Sequence, residues 1–341
     1  MNRDLSNTKR RMNGAGGAAL LAIAGLAVSA GLSSAQIGQQ QSSPGTPNVL
    51  GGGSTGGGVP ADPGDPFEHM KDEVALTGVV RDFRAGSQDS PHPDFQRQPK
   101  NANGGGSFGH YMEMVQDQLD EDGKPVFRDG GRRVTSQWKD AQGRNVMPPR
   151  EYIDGRDGDK AGSMESVGSA VTSADSMSQW FRDVPGVNAS RPLDITLRRV
   201  EGTNKYVFDD KQDPTYSNRG GFFPVNNDLY GNFTTDKNFH FTFELGTKFT
   251  YEANSGQVFR FIGDDDVWVY IDGKLVIDLG GVHGATEQTV ELDRLNWLQD
   301  GGTYTLHFFF AERHTTQSNF RIETTLDLKS IDLPPTAALF D

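Results

Sequence analysis

The sequence contains no cysteine. This absence excludes thiolate zinc sites and thiol nucleophiles, and no disulfide can compensate for a thin core. With 341 residues, the chain is long enough to bury one large core or two modest ones by packing alone. We therefore expect stability to come from packing and from any ion that the fold binds.

Positive charge is scarce. The chain has 33 lysines and arginines against 46 aspartates and glutamates, which gives a net charge of −13. A chain this acidic is repelled by nucleic acids and by anionic membrane surfaces. We expect neither to be a partner.

Long apolar runs are also absent, except near the N-terminus. Residues 9–11 are basic, residues 18–32 are apolar and small, and residues 33–35 are small residues before Gln36. These three regions in this order are typical of a secretory signal peptide spanning residues 1–35. A membrane anchor is the alternative, but the apolar run is shorter than the roughly 20 residues that a span requires. We predict a protein that is secreted or held at the cell surface, with no membrane span after cleavage.

Composition divides the rest of the chain. Residues 36–66 are rich in Gly, Ser, Gln and Pro, which predicts a flexible linker because such a segment buries little apolar surface. Residues 67–330 have globular composition, with a core of about 190–330, and residues 331–341 form a C-terminal tail. Within the globular part, residues 120–175 are polar and glycine-rich, which indicates a long irregular insertion.

Strand patterns dominate the globular part. Phe239, Phe241 and Phe243 alternate with polar residues, as on one face of a strand. Asp272-Gly273 between two apolar runs predicts a hairpin. Many short strands joined by turns favour an all-β antiparallel sandwich or barrel. Strands are predicted at residues 74–83, 193–200, 205–208, 239–245, 249–253, 257–262, 267–271, 274–278, 289–292, 303–311 and 320–328. A weak helical pattern covers residues 111–119, and residues 177–181 form a short helix or turn.

Three adjacent carboxylates, Asp264, Asp265 and Asp266, stand directly before a predicted strand. Adjacent like charges repel, so the run is either a solvated acidic loop or a site for a hard cation. A second polar loop at residues 312–319 supplies further oxygen ligands if both loops share one end of the sandwich. That ligand set suits Ca²⁺. Alternatively, Glu312 and Arg313 pair near the surface and Asn319 caps a turn.

Two blocks carry a family resemblance. Residues 263–283 read GDDDVWVYIDGKLVIDLGGVH, residues 311–320 read AERHTTQSNF, and both resemble the signatures of fibro-slime domains. Further matches lie upstream of these blocks and in the order of the family, at residues 76–83, 92–95, 180–183, 185–188, 222–224 and 239–242. Fibro-slime domains are similar to PA14 domains, which are β-sandwich modules of adhesins and toxins and are also attached to glycosidases. The resemblance implies a PA14-like sandwich with long irregular loop insertions.

The resemblance also implies a site. In lectin-like PA14 adhesins, two consecutive aspartates joined by a cis peptide hold a Ca²⁺ ion that coordinates sugar hydroxyls. In this sequence that pair falls on Asp264 and Asp265, and the later loop that completes the site ends at Asn319. Asp266 stands where many PA14 domains have glycine, so it either adds a ligand or alters the geometry. The implied metal ligands are Asp264, Asp265, Asp266 and Asn319.

Aromatic and histidine side chains are candidates for contacts with a ligand. Trp268, Tyr270 or Trp297 could form a platform for a sugar ring, although at least one should belong to the core. His283 and His314 lie in the two signature loops and are placed to hydrogen-bond a ligand or the metal ligands. The predicted ligand-binding residues are Trp268, His314 and Asn319. A further acidic stretch at residues 154–159 lacks the spacing of an EF-hand, which favours a solvated loop.

These observations predict a non-enzymatic module. No opposed pair of carboxylates stands out as the acid and base of a glycosidase. We expect calcium-dependent recognition of a carbohydrate or another cell-surface ligand, in an adhesive role. The alternative is a structural component of an extracellular matrix or slime layer in which calcium only rigidifies loops.

Overall fold

A computed structural model describes residues 64–100, 107–167, 169–233, 236–331 and 333, without the side chains of residues 166 and 167. The predicted signal peptide, nearly all of the predicted linker and most of the predicted tail therefore lie outside the described residues. Among the residues described, no helix is long and apolar enough to cross a membrane.

The regular secondary structure of the described residues is almost entirely β-strand, and the predicted all-β class is confirmed. One short helix, α1, spans Ala174–Ser178. The strands are β1 (Glu73–Phe83), β2 (Tyr111–Met112), β3 (Val115–Leu119), β4 (Pro125–Phe127), β5 (Arg132–Ser136), β6 (Ser163–Val167), β7 (Asn188–Arg199), β8 (Tyr206–Asp209), β9 (Phe241–Thr250), β10 (Val258–Gly263), β11 (Asp266–Ile271), β12 (Lys274–Leu279), β13 (Thr286–Glu291), β14 (Thr303–Glu312), β15 (Phe320–Thr324) and β16 (Lys329–Ser330).

Within the described residues, β2, β5 and β6 form a small antiparallel sheet, and the other strands pair antiparallel in one large sheet that folds into two facing layers. The order is β13-β10-β15-β8-β7-β1-β9-β14-β11-β12-β3-β4, with β16 beside β9. Aromatic rings on β10 and β15 meet rings on β9 and β14 across the core. The ring centroids of Phe261 and Phe308 are 5.4 Å apart, and those of Phe320 and Phe308 are also 5.4 Å apart. This interlayer packing is that of a sandwich.

The hairpin predicted at Asp272-Gly273 is confirmed. Both residues have positive φ, 51° and 76°, as a two-residue turn of type I′ requires. Two other local predictions are wrong. The strands predicted at residues 239–245 and 249–253 are one strand, β9, which pairs continuously with β14 through Gly246. A side chain at Gly246 would meet the side chain of Ile331 at 2.9 Å, so packing favours glycine there, and this glycine does not end the strand.

The helix predicted at residues 111–119 is also wrong, because this segment forms β2 and β3. Glu113 lies between them with φ of 65°, a value that no α-helix accommodates. Tyr111 exchanges backbone hydrogen bonds with Gly280, at 2.6 and 2.9 Å, beyond the end of β12. The polar insertion is therefore less irregular than its composition predicts, since it carries β4, β5 and β6 as well.

Strand register brings several loops together at one end of the sandwich. Gly263 at the end of β10 pairs with Phe320 at the start of β15, and Asp266 at the start of β11 pairs with Ala311 near the end of β14. The acidic run and the second polar loop are thus neighbours in space, as the calcium-site interpretation requires.

Candidate functional site

Asp264 is bound to the second polar loop. Its carboxylate accepts hydrogen bonds from the backbone nitrogen of Asn319 at 2.5 Å and from the Asn319 side-chain amide at 2.7 Å. The peptide bond between Asp264 and Asp265 is cis. Burial raises the pKa of Asp264, against the effect of the two hydrogen bonds from Asn319. The structure therefore brings together the two predicted ligands that are most distant in sequence.

Asp265 joins two further loops. One carboxylate oxygen accepts from the backbone nitrogen of His283 at 3.2 Å, and the other accepts from the backbone nitrogen of Arg313 at 3.1 Å. Burial and the neighbouring charge of Asp266 raise the pKa of Asp265 well above its usual range. Asp265 thus places a buried carboxyl group where three loops converge.

The carboxylate of Asp266, which was predicted as a metal ligand, is instead engaged by Arg313. Its two oxygens accept from the guanidinium of Arg313 at 2.5 and 3.1 Å, and one of them also accepts from the backbone nitrogen of Gly281 at 2.6 Å. Both side chains of the pair are fully buried. The alternative interpretation, a surface pair between Glu312 and Arg313, is also wrong, because Arg313 is buried and forms its ion pair with Asp266.

Glu312 ends β14 with a fully buried carboxylate. Among the described residues, neither of its oxygens has a hydrogen-bond partner within 3.5 Å and with good geometry, and the Ser318 side chain and His314 backbone contribute only weaker contacts that lower its pKa. Burial and the charges of Asp265 and Asp264 raise its pKa well above its usual range. Three carboxylates thus influence one another at this end of the sandwich, while the nearby cation Arg313 is already paired. The fold therefore makes it costly to ionise all three of these carboxyl groups together.

Metal-ligand geometry is not complete in the described part of the chain. No three His, Cys, Asp or Glu side chains there have the arrangement of a ready metal cluster. The carboxylates of Asp264 and Asp265 are the oxygen donors that could bind an ion without a rearrangement. Asn319 faces Asp264 with its amide nitrogen, so its oxygen would become a ligand only after the amide turns over.

A pocket of ≈ 260 Å³ opens beside the aspartate pair. It is lined by Phe108, Asp264, Asp265, Val282, His283, Gly284, His314, Thr315, Thr316 and Gln317. The predicted ligand-binding residue His314 is part of its wall. A contact of its Nδ1 with the Thr315 carbonyl, at 2.6 Å, and one of its Nε2 with Gln96, at 3.3 Å, hold its ring in place. Asn319 contacts Asp264 and does not line the pocket.

None of the predicted aromatic platforms lines this pocket, so the structure does not support their assignment as ligand-binding residues. Trp268 is fully buried, and its indole nitrogen donates to Asp278 at 3.1 Å. Tyr270 is also fully buried. Trp297 packs beside Lys274, which begins β12, whereas the pocket lies past the other end of that strand. The residue pattern of β11 did not predict the burial of Trp268 and Tyr270, because both faces of that strand are covered.

The aromatic residue at the pocket is Phe108, which the sequence predictions missed. Its side chain is 41% exposed, and its ring lies edge-on to that of His314, with centroids 5.0 Å apart. The available signal was a single phenylalanine in a glycine-rich loop, which no strand or helix pattern explains.

The remaining candidates have simpler roles. His283 lines the pocket, and its backbone nitrogen is the group that binds Asp265. In the acidic stretch at residues 154–159, Asp159 accepts two hydrogen bonds from Arg294, at 2.7 and 3.0 Å. Asp157 in the same stretch is exposed. Asp157 fits the predicted solvated loop, whereas Asp159 differs from it because it is paired with Arg294.

Comparisons with known proteins agree with this architecture. The family model described as the PA14 domain matches residues 224–336. Protein psiR of Dictyostelium discoideum is 32% identical over 277 residues, which cover 77% of this chain and 22% of psiR. Protein psiQ of the same organism is 38% identical over 173 residues, covering 47% of this chain and 16% of psiQ. The chain therefore spans about a fifth of the length of these curated relatives.

Two solved structures are similar at low scores. The PA14 domain of the MpAFP antifreeze protein is 14% identical, with a TM-score of 0.19 over 26% of this chain and 45% of that one. The GH31 α-xylosidase Xac1773 from Xanthomonas citri is 10% identical, with a TM-score of 0.25 over 74% of this chain and 24% of that one. Neither similarity carries an argument about function.

Proposed function

We propose that this chain, whose residues 224–336 form a PA14 domain, is an exported, non-enzymatic module that binds a carbohydrate or another cell-surface ligand through Ca²⁺. The ion would lie between the Asp264–Asp265 pair and the pocket beside it. The expected setting is outside the cell, where calcium is plentiful and where the predicted signal peptide would deliver the protein.

The observation that carries the proposal is the unpartnered carboxylate of Glu312. A buried ionised carboxylate without a partner is costly. Here it lies near two further buried carboxylates, and the guanidinium of Arg313 is committed to Asp266. The two positive charges of a bound divalent cation would compensate two of these three negative charges. Clustered carboxylate and amide oxygens are the ligands that Ca²⁺ prefers.

The pocket supports a role in ligand binding. Asp264 and Asp265 lie in its lining, so an ion held by them would face the open space and could be shared with hydroxyl groups of a ligand. Ca²⁺ takes about six to eight oxygen ligands, more than these side chains supply. The remaining positions are free for water or sugar hydroxyls.

One feature also favours the second candidate, a matrix component with a structural ion. Asp265 already accepts hydrogen bonds from the loops of His283 and Arg313. An ion bound there would stiffen both loops even if no ligand entered the pocket.

Calorimetric titration with CaCl₂ tests the ion site. The protein without its signal peptide should bind one Ca²⁺, and Asp265→Asn should abolish that binding. Asp157→Asn is the matched control, since it removes one exposed acid from the loop that we interpret as solvated. Identical isotherms for the unaltered protein and Asp265→Asn would disprove the calcium proposal.

A glycan array read with Ca²⁺ and with EGTA separates the two candidates. Signals that disappear in EGTA support ligand recognition through the ion. Calcium-dependent thermal stabilisation with no glycan signal supports the structural role.

A further inference from the structure

We propose that Phe108 forms the apolar wall of the ligand pocket and selects a single terminal pyranose ring over flexible polyols. Phe108 lies outside the segment that matches the PA14 family, residues 224–336, so the insertion would supply specificity to a site whose ion the PA14 domain holds. This inference rests on the proposed calcium-dependent function.

The exposure of Phe108 is unusual for this chain. Within the described residues, the exposed large hydrophobic side chains are Phe108 and Val200, at 41% and 42%. Most of the other phenylalanines are buried in the core. Phe108 lies in the lining of the pocket that also contains Asp264 and Asp265. An apolar ring beside an acidic ion site makes the pocket amphipathic, with one wall for C–H groups and one for hydroxyls.

Backbone hydrogen bonds on the C-terminal side hold Phe108 in place. The nitrogen of Gly109 donates to the carbonyl of Val282 at 2.8 Å, and the nitrogen of Tyr111 donates to the carbonyl of Gly280 at 2.6 Å. The edge-on contact with His314 supports the ring from the second polar loop. Phe108 is thereby placed between the segment that follows β12 and the second polar loop, which reduces the side-chain entropy that a ligand must remove when it binds.

Two glycines in the first signature block allow the segment that carries Phe108 to pack closely against the PA14 domain. A side chain at Gly281, which has φ of +93°, would come within 2.6 Å of the Gly109 carbonyl oxygen. One at Gly280 would come within 2.6 Å of the sulfur of Met114. Any larger residue at these positions would push the insertion away from the PA14 domain. The Gly280-Gly281 pair therefore admits the segment that carries Phe108.

The chemistry of the two walls defines the ligand class. The face of an aromatic ring carries negative charge density, which attracts the weakly positive C–H groups on one face of a pyranose. An acyclic alditol has similar hydroxyls but no rigid C–H face. The pocket volume of ≈ 260 Å³ is at or below the lower end of the about 300–1,000 Å³ of drug-sized sites. Its size suits one sugar ring at the end of a chain.

Calorimetry in saturating Ca²⁺ tests the inference with the methyl pyranosides of mannose, galactose, glucose and fucose, and with the matched alditols. We expect at least one pyranoside to bind about tenfold or more tightly than its alditol. Phe108→Ala should weaken that binding about tenfold, or about 1.4 kcal/mol, and Phe108→Trp should retain it. Val200→Ala is the matched control, because it removes an equally exposed apolar side chain that does not line the pocket.

A calcium titration of each variant separates the two proposals. Unchanged calcium affinity in Phe108→Ala shows that the site remains folded, so a loss of pyranoside binding is then due to the ring. Calcium binding with no pyranoside binding, or with equal affinity in Phe108→Ala, would overturn this inference alone. Absence of calcium binding in the unaltered protein would overturn the proposed function and this inference together.

Discussion

Replacing Glu312 by glutamine should change stability in opposite directions with and without calcium. In EGTA, the unaltered protein buries a carboxylate that has no partner among the described residues and that feels the charges of Asp264 and Asp265. An unsatisfied buried polar group costs about 1–3 kcal/mol, and a charged one costs more. The amide removes the charge but stays polar, so we expect a gain of about 1 kcal/mol in the free energy of unfolding.

Saturating calcium should reverse this order. Ca²⁺ at 100 times its Kd stabilises a protein by about 2.7 kcal/mol, and Glu312→Gln should lose more than half of that gain because one of the compensating charges is missing. For a chain of this size, 1 kcal/mol shifts Tm by about 2–4 °C. Thermal unfolding in EGTA and in CaCl₂ measures both differences.

A stability change of Glu312→Gln that has opposite signs in EGTA and in CaCl₂ would show that this carboxylate contributes to the ion site. If Glu312→Gln destabilises the protein equally in both conditions, the carboxylate serves the fold and has no relation to an ion. Asp157→Asn should leave both melting temperatures unchanged, since that side chain is exposed.

Two further predictions concern buried charges. Asp266→Asn should cost about 3–5 kcal/mol in urea unfolding, because it leaves the fully buried guanidinium of Arg313 without its carboxylate; a cost below about 1 kcal/mol would show that the pair is not needed. Burial raises the pKa of Asp82 to about 7, so the folded state holds a proton that the unfolded state releases near pH 4. Stability should therefore fall as pH rises from about 4 to 7, by at most about 1.4 kcal/mol per pH unit for this group, and Asp82→Asn should flatten that part of the profile.

Local patterns predicted much of the backbone. Alternating apolar residues located most of the strands of the sandwich, and Asp272-Gly273 located its hairpin because a type I′ turn needs two positive φ values. Prediction failed where distant segments decide the conformation. The segment that begins at Tyr111 has a weakly helical pattern, yet it pairs with Gly280, and no local signal records that partner.

The same division applies to the site. The sequence by itself determined the charge, the β class and the acidic run at Asp264 and Asp265, because these depend on residue types and short spacings. Only the tertiary structure decided that Asp266 pairs with Arg313, that Trp268 is buried and that Phe108 enters the pocket. The physical reason is that hydrogen-bond partners and burial follow from strand register and layer packing, which join residues far apart in the chain. The three carboxylates look equivalent in sequence, and their separate roles arise from what the fold places against each one.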